Sequence, residues 1–522
     1  MIAPRYPYLP QIQLASAHAQ SGRFTEMLAL CQQLVEAHAG DLEALLSVGS
    51  LLQSFGYLSR ARVCLEQAQA LAPNDLRCRV NLANVAREAG EHAQARQAYS
   101  ALQTALPNHP VIKRNALTGQ EYDPTATDAQ RLLQACAWGE WAITQAGGPR
   151  ERPQRALMTT PGEWPLRIGY VSADICQHTV GLFVKDVIRA HDSARCTVFV
   201  YNAGQVDDWV TAEVRAVCTL RPVATLNDVA LAALIRQDAI DVLIDLSGHT
   251  AGSRLTVFAH RPAPVQVSWL GYFATTGLRY IDAVLLDAWH APAGTEAQFV
   301  EPIIRLPQGR WCYQPVPWAP ADVAPLPCLK TGHITFGSFN NTGKLNAGVF
   351  DVWAKVLQAV PGSHLVLKWR TLVDEPLCDK IRANFAARGI APGRIELRPA
   401  SFHVDVLKEY GDIDIALDPF PFTGGLTSCE ALWMGVPVVT WPQSRVVSRQ
   451  TFALLSTVGL GELAAQDADD YVRIAQQLAL DQPRLANLRQ GLRARMQASP
   501  LMDVKGFTRQ LEATLMDFYL GV

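Results

Sequence analysis

Gly22, Gly56 and Gly90 stand 34 residues apart, and the columns around them keep the same step. Leu14, Val48 and Leu82 form one column, Ala15, Gly49 and Ala83 the next, then Met27, Ala61 and Ala95, and Cys31, Leu65 and Tyr99. A period of this length leaves the first hundred residues little choice. Each unit is a helix pair that buries its apolar face only by stacking on its neighbour, with small residues where helices cross. Pro73 and Pro107 close the second and third units, and Ala39 takes that place in the first.

These columns carry the tetratricopeptide signature, assigned to residues 1–109 as an α-solenoid. Its groove suits a peptide or a second protomer in a homo-oligomer, and the repeats alone do not say which. From His109 the pattern breaks, and EYDPTATDAQRLLQACAWGEWAITQA reads as a loop followed by an amphipathic helix from Asp128. Gly147, Gly148 and Pro149 punctuate it, so residues 110–165 read as a helical linker.

At Leu166 the texture changes to strand and helix in alternation. LRIGYVS, CTVFVYN, DVLIDLSG, PVQVSWLG and YIDAVLLD are short apolar strands, with a helix over 227–237. A second set begins near Gly332: ITFGSFN, HLVLKW, RIELRP, DIALDP and PVVTWP, with helices over 347–360, 374–388 and 429–434. Such alternation predicts two doubly wound parallel sheets, hence two Rossmann-like lobes over 166–330 and 331–500 that face each other, with ligands at the strands' carboxyl ends. A last helix, within 501–522, is expected to cross back to the first sheet.

Within the second set, DIALDPFPFTGGLTSCEALWMGVPVVTW is the stretch with the most chemistry in it. The strand ends at Asp418, because Pro419 and Pro421 cannot continue a ladder. Gly424 and Gly425 allow close backbone approach. Thr427 and Ser428 are read as cap residues of the helix that carries Glu430. A helix N-terminus at the carboxyl end of a strand is an anion site, and Glu430 beside it can accept from sugar hydroxyls.

A chain of 522 residues is too long for one core, so two to four domains are expected. A net charge of −2 makes no electrostatic case for nucleic acid as a partner. The start MIAPRYPYLPQIQLASAHAQ has no signal-peptide pattern, and no run of about 18 apolar residues occurs. These readings point to a soluble, cytoplasmic protein with no membrane span. The 11 cysteines are scattered and never form CxxC, which favours reduced thiols over disulfides or zinc.

The strings RIGYVSAD, LIDLSGHTAGSR, RPAPVQVSWLGY, FGSFNNTGK and CEALWMGVPVVT, placed after a tetratricopeptide array, resemble the O-linked N-acetylglucosamine transferases and their SPINDLY relatives along essentially the whole chain. The resemblance implies a GT-B glycosyltransferase with an acceptor-side lobe and a nucleotide-sugar lobe. It would transfer a sugar, N-acetylglucosamine from UDP-N-acetylglucosamine first, to Ser or Thr of proteins. It would do so with inversion, with no metal and no cofactor, and with the repeats choosing the acceptor.

The same resemblance assigns Lys344 to the donor diphosphate and Asn341 to a donor contact made by Gln in the family. A metal-free reaction needs such a fixed cation where charge develops on the leaving group. Ser401, His403, Gly424, Gly425, Thr427, Ser428 and Glu430 are placed on the donor side. His178 matches the histidine proposed as general base or acceptor contact, since a neutral imidazole can take a hydroxyl proton. Asp174 is the reserve base, and His249 and Arg254 are expected to line the cleft.

Some positions depart from the family. Leu426 removes a hydroxyl from the helix turn, Val406 falls near a base-contacting histidine, and His403 stands where animal members carry a lysine. Glu430 replaces their ribose-binding Asp, as in SPINDLY. Phosphate binding is therefore better supported than the identity of base or sugar. GDP-fucose and UDP-glucose are alternative donors, a polysaccharide is an alternative acceptor, and a non-catalytic tetratricopeptide scaffold is the reading from another class.

Overall fold

The structure, a computed structural model, describes residues 6–154 and 165–521. Of the linker read at 110–165, residues 155–164 lie outside the described residues, as do the first five of the chain start.

Eight helices come first: α1 (Leu9–Gln20), α2 (Phe24–Ala37), α3 (Leu42–Ser54), α4 (Leu58–Leu71), α5 (Leu76–Glu88), α6 (His92–Ala105), α7 (Pro110–Tyr122) and α8 (Asp128–Gln145). Then follow β1 (Leu166–Ser172), α9 (Thr179–Ala190), β2 (Cys196–Asn202), α10 (Trp209–Arg215), β3 (Thr219–Pro222), α11 (Asp228–Gln237), β4 (Val242–Asp245), α12 (Leu255–Phe258), β5 (Val265–Trp269), β6 (Ala283–Leu286) and β7 (Ile303–Arg305). The next stretch carries α13 (Cys328–Thr331), β8 (Thr335–Ser338), α14 (Ala347–Ala359), β9 (His364–Lys368), α15 (Glu375–Ala386), β10 (Ile395–Arg398) and α16 (His403–Glu409). The last carries β11 (Ile415–Leu417), α17 (Leu426–Trp433), β12 (Val438–Val439), α18 (Gln450–Thr457), α19 (Ala468–Leu480), α20 (Gln482–Gln497) and α21 (Val504–Gly521).

These elements sort into two compact units that interleave along the chain. One holds the chain to Asp123 together with Cys328–Glu409, the other Pro124–Pro327 together with Tyr410 onward.

In the first unit, α1 to α6 are the three expected helix pairs. Asp41 and Asp75 cap α3 and α5, accepting from the amides of Glu43 (2.9 Å) and Arg77 (2.8 Å). Within each pair the chain turns through Gly22, Gly56 or Gly90, all at φ between +73° and +91°, where a Cβ is strained. The repeat columns are largely buried as their period requires, but in the first column Leu14 is 50 % exposed and Leu82 half-buried while Val48 is fully buried. The first pair has no preceding pair among the described residues to cover it. Between Pro107 and the expected loop at 121–127 the structure adds a helix that the repeat pattern did not assign. Pro110, pre-set for a first helical position, opens α7, which buries Ile112, Ala116 and Leu117 against α5 and α6.

The same unit carries β8, β9 and β10, parallel neighbours in that order, with Leu365 paired to Phe336 and Ile395. The repeats and this sheet region are bound together. Arg370 donates to the carbonyls of Gln53 and Ser54 and to Glu88. Asp374 accepts from the amide and hydroxyl of Ser59 at 2.7 and 2.6 Å, and also caps α15 through Leu377 (3.2 Å). Replacing Asp374 by Ala removes a helix cap and a charged tie together, and is expected to cost about 2–4 kcal/mol in urea unfolding.

In the second unit seven strands lie parallel in the order β3-β2-β1-β4-β5-β6-β7. β3 and β7 were not anticipated; both are short edge strands with half-exposed side chains and little apolar signal. Helix α21 does return to this sheet: Phe507 stacks on Trp269, Glu512 meets His191 at 2.9 Å, and the Tyr519 hydroxyl donates to Asp241 (3.1 Å). No helix among the described residues is long and apolar enough to cross a membrane.

Candidate active site

The strand order reverses direction between β1 and β4, and in open α/β sheets ligands bind at the carboxyl ends flanking such a point. His178 lies on the loop leaving β1. The loop folds back tightly: a Cβ on Gly181 would stand 2.1 Å from the Cys176 carbonyl oxygen, and one on Gly204 would stand 2.2 Å from that of Ala173. His178 occupies the N-cap of α9, its Nδ1 3.3 Å from the Val180 amide and 3.7 Å from Asp174 Oδ1, with 48 % of the side chain exposed. Burial lifts the Asp174 carboxyl above its usual range, and His178 partly opposes the rise. Burial likewise pushes the Cys176 thiol to about 11, with Asp208 and Asp174 adding to it.

The loop leaving β4 behaves differently. Asp245 is fully buried and lifted to about 6, although it accepts from the amides of Ser247 and Gly248 and from Ser268. His249, expected to line a cleft, is 1 % exposed; its Nε2 donates to the Thr276 carbonyl (2.8 Å), and its ring packs edge-on to Trp138 and Tyr272. Arg254 holds Asp228 (2.8 Å) and the carbonyls of Leu226 (2.9 Å) and Val223 (3.3 Å). Both side chains brace this unit's loops.

Still in the second unit, β11 leads into the glycine turn. Asp418 organises it: one carboxylate oxygen accepts from the Gly424 amide (2.7 Å), the other from the Thr440 hydroxyl (2.6 Å). Thr423 donates to the Val447 carbonyl, and Thr451 to that of Gly424. Helix α17 starts at Leu426 with Gly425 at its N-cap, so Thr427 and Ser428 lie inside the first turn and do not cap it. The reason is space. A Cβ on Gly424 would stand 2.2 Å from Ser428 Oγ, which is hydrogen-bonded to Thr451 (2.8 Å). Glu430 is buried on the same helix, and its charge helps raise the phenols of Tyr313 and Tyr410 after burial itself. First-turn amides lack intrahelical acceptors, which makes this end of α17 electropositive.

In the first unit, the chain leaves β8 into a 3-10 turn, Thr342–Lys344. Asn341 caps that turn, its Oδ1 accepting from Gly343 (2.9 Å), so that oxygen is already engaged. Lys344 is 9 % exposed and its Nζ donates to Asn340 Oδ1 (2.8 Å). Thr342 fixes the turn against Thr371 (2.6 Å) and the Glu88 carbonyl (3.1 Å). Ser401 lies in a cluster with Lys368 and Glu409, both 2.5 Å away, and His403 opens α16. Lys368, Asp418, Thr440 and Thr451 escaped sequence reasoning. Only Asp418, at a strand end before two prolines, carried a local signal.

Residues 154–312 and 327–511 match the sequence pattern of glycosyl transferase family 41. The chain belongs to glycosyl transferase family 41. It is similar to the probable UDP-N-acetylglucosamine–peptide N-acetylglucosaminyltransferase SPINDLY of Petunia hybrida, 41 % identical over 67 % of this chain and 38 % of that protein. The rice protein of the same name is 36 % identical over 81 % of this chain and 46 % of its own length. The chain thus spans less than half the length of these curated relatives. Among solved structures, a mutant O-GlcNAc transferase of Thermobaculum terrenum superposes with a TM-score of 0.86 at 32 % identity, covering 99 % of this chain and 98 % of that one. The architecture is therefore a tetratricopeptide α-solenoid followed by a family 41 GT-B fold of two Rossmann-like lobes.

Among the described residues His191, Cys196 and Glu512 bring ligand-type atoms within 4.8 Å of one another. His191 and Glu512 already bond each other at 2.9 Å, closer than two ligands of one zinc ion at about 2.0 Å would stand. The cluster is a buried polar tie between α9 and α21.

Proposed function

We propose that this family 41 chain transfers N-acetylglucosamine from UDP-N-acetylglucosamine to Ser or Thr hydroxyls of protein acceptors, with inversion and without a metal ion. The observation that carries this reading is His178 at the β1 switch point of a chain whose curated relatives bear peptide N-acetylglucosaminyltransferase names. In an inverting displacement the acceptor oxygen attacks the anomeric carbon as the bond to the diphosphate breaks, and its proton needs a base. His178 supplies one in a particular tautomer. In this structure Nδ1 accepts from the Val180 amide, which leaves the neutral ring's proton on Nε2; to act as the base the ring takes the other tautomer, with the Nδ1 proton facing Asp174 and Nε2 as the acceptor. Asp174 therefore tunes the base rather than replacing it.

The leaving diphosphate is a localised double negative charge. Lys344 is the cation assigned to it. The repeats select the acceptor, and the reaction is placed in the cytoplasm. Glu430, shared with SPINDLY, favours GDP-fucose as the second donor to test.

Saturating UDP or UDP-N-acetylglucosamine is expected to raise the melting temperature by about 2–5 °C, with GDP and GDP-fucose inert. A response to GDP alone would reassign the donor, and no response to either series would remove the donor site. Transfer to a Ser/Thr peptide library should persist in chelator; loss of transfer in EDTA would remove the metal-free mechanism.

A further inference from the structure

Two of the three residues immediately before His178, Ile175 and Gln177, are tied by three hydrogen bonds to one short helix, α10, and its N-cap. The Thr211 hydroxyl donates to the Ile175 carbonyl (2.6 Å), the Gln177 amide donates to Asp208 Oδ2 (2.6 Å), and Trp209 Nε1 donates to Gln177 Oε1 (3.0 Å). Asp208 and Thr211 are themselves locked as the capping box of α10. A seven-residue helix is more thoroughly tied to this loop than capping alone requires.

We infer that α10 is a bracket for His178, and that Trp209 is the positioning residue in it, acting through Gln177. Trp209 is suited to that task because its ring is held from three sides. Lys185 Nζ lies 5.3 Å over its face, Trp318 packs edge-on at 5.2 Å, and the indole N–H is committed to Gln177. Lys185 sits seven residues after His178, two turns along the same face of α9, and is anchored to Asp186 (2.8 Å) and Glu213 (3.4 Å). The bracket thus closes a circuit: α9 carries His178 at its start and Lys185 two turns on, Lys185 holds Trp209, and Trp209 holds the residue before His178. A Gln177 side chain without that partner has several rotamers, and the adjacent imidazole then loses its fixed aspect toward Asp174. The titratable group facing the imidazole is Asp174 on its own loop; Cys176 lies on the same loop, Asp208 reaches the Gln177 amide from the start of α10, and Lys185 stands two turns along α9.

The inference rests on His178 being the base, so its test has a readout that does not need turnover. Trp209→Phe keeps an aromatic ring between Lys185 and Trp318 but loses the indole N–H and part of the ring's volume; Gln177→Ala removes the acceptor from an exposed position without touching that packing, and keeps the fold if Trp209→Phe does not. With the full chain selectively labelled at histidine, the His178 ring signal, assigned by its loss in His178→Asn, is expected to show a displaced titration in both variants. In transfer assays kcat is expected to fall about tenfold with the donor KM unchanged, and the pH profile to move with the titration. A His178 titration identical to that of the parent in a folded Trp209→Phe or Gln177→Ala chain overturns the bracket. If the parent titrates and both variants shift it, but no chain transfers sugar, the bracket stands and the proposed function falls.

Discussion

Replacing Lys344 by Ala should abolish transfer, lowering kcat by about 10² to 10³ while the chain stays folded. The side chain is almost wholly buried with its Nζ donating to Asn340, and the turn itself is fixed independently by Thr342 against Thr371 and Glu88. Removing the ammonium therefore removes charge and leaves the backbone where it is. Arg is not expected to rescue, because a planar fork does not fit the volume vacated by a compact ammonium at a buried position. Stopped transfer with an unchanged melting temperature, and a smaller thermal shift with UDP, is the expected pattern. Turnover equal to the parent would refute the role given to Lys344.

A large effect on stability is expected at Gly139 and Gly277. A Cβ on Gly139, in the middle of α8, would stand 1.9 Å from the carbonyl oxygen of Gly277, and a Cβ on Gly277 would stand 2.0 Å from that of Ala135. Both obstacles are backbone, so neither can swing aside, and either Ala substitution should cost at least about 3 kcal/mol. Gly277→Ala should be the worse of the two, because Gly277 also sits at φ +74°. Gly148 is the control: its φ is +95° and nothing lies within 4 Å of its Cβ position, so Gly148→Ala reports backbone strain alone, about 1 kcal/mol. Denaturant midpoints that placed Gly139→Ala beside Gly148→Ala would show that α8 can move off this loop.

The solenoid and the central strands were readable because their signals are local. A 34-residue period needs only Gly22, Gly56 and Gly90 and their columns, and β1, β2, β4, β5 and β6 are continuous apolar runs. Helix α7 was missed because it follows the last closing proline and adds no second partner helix to complete a repeat. Strands β3 and β7 were missed because an edge strand is not obliged to be apolar. At the candidate site, His178 and the Gly424 turn were visible as motifs after strands. What the motif could not convey is which polar groups the fold engages for itself. His249 and Arg254 looked as available as His178, and only long-range partners, Thr276 and Trp138 for one and Asp228 for the other, assign them to bracing. Asp418 was invisible as an organiser for the same reason, since Thr440 is brought to it by the sheet.

The repeat glycines bear on how such an array can change length. A Cβ on Gly56 would stand 2.4 Å from the Arg370 carbonyl oxygen, and one on Gly90 would stand 2.8 Å from that of Leu345, whereas nothing lies within 4 Å at Gly22. The second and third turns are thus keyed to fixed points, like teeth in a rack, and duplicating a unit between them would throw every later tooth out of step. An inserted unit is therefore expected to be tolerated worse between these two turns than beside the first pair, where Leu14 is 50 % exposed.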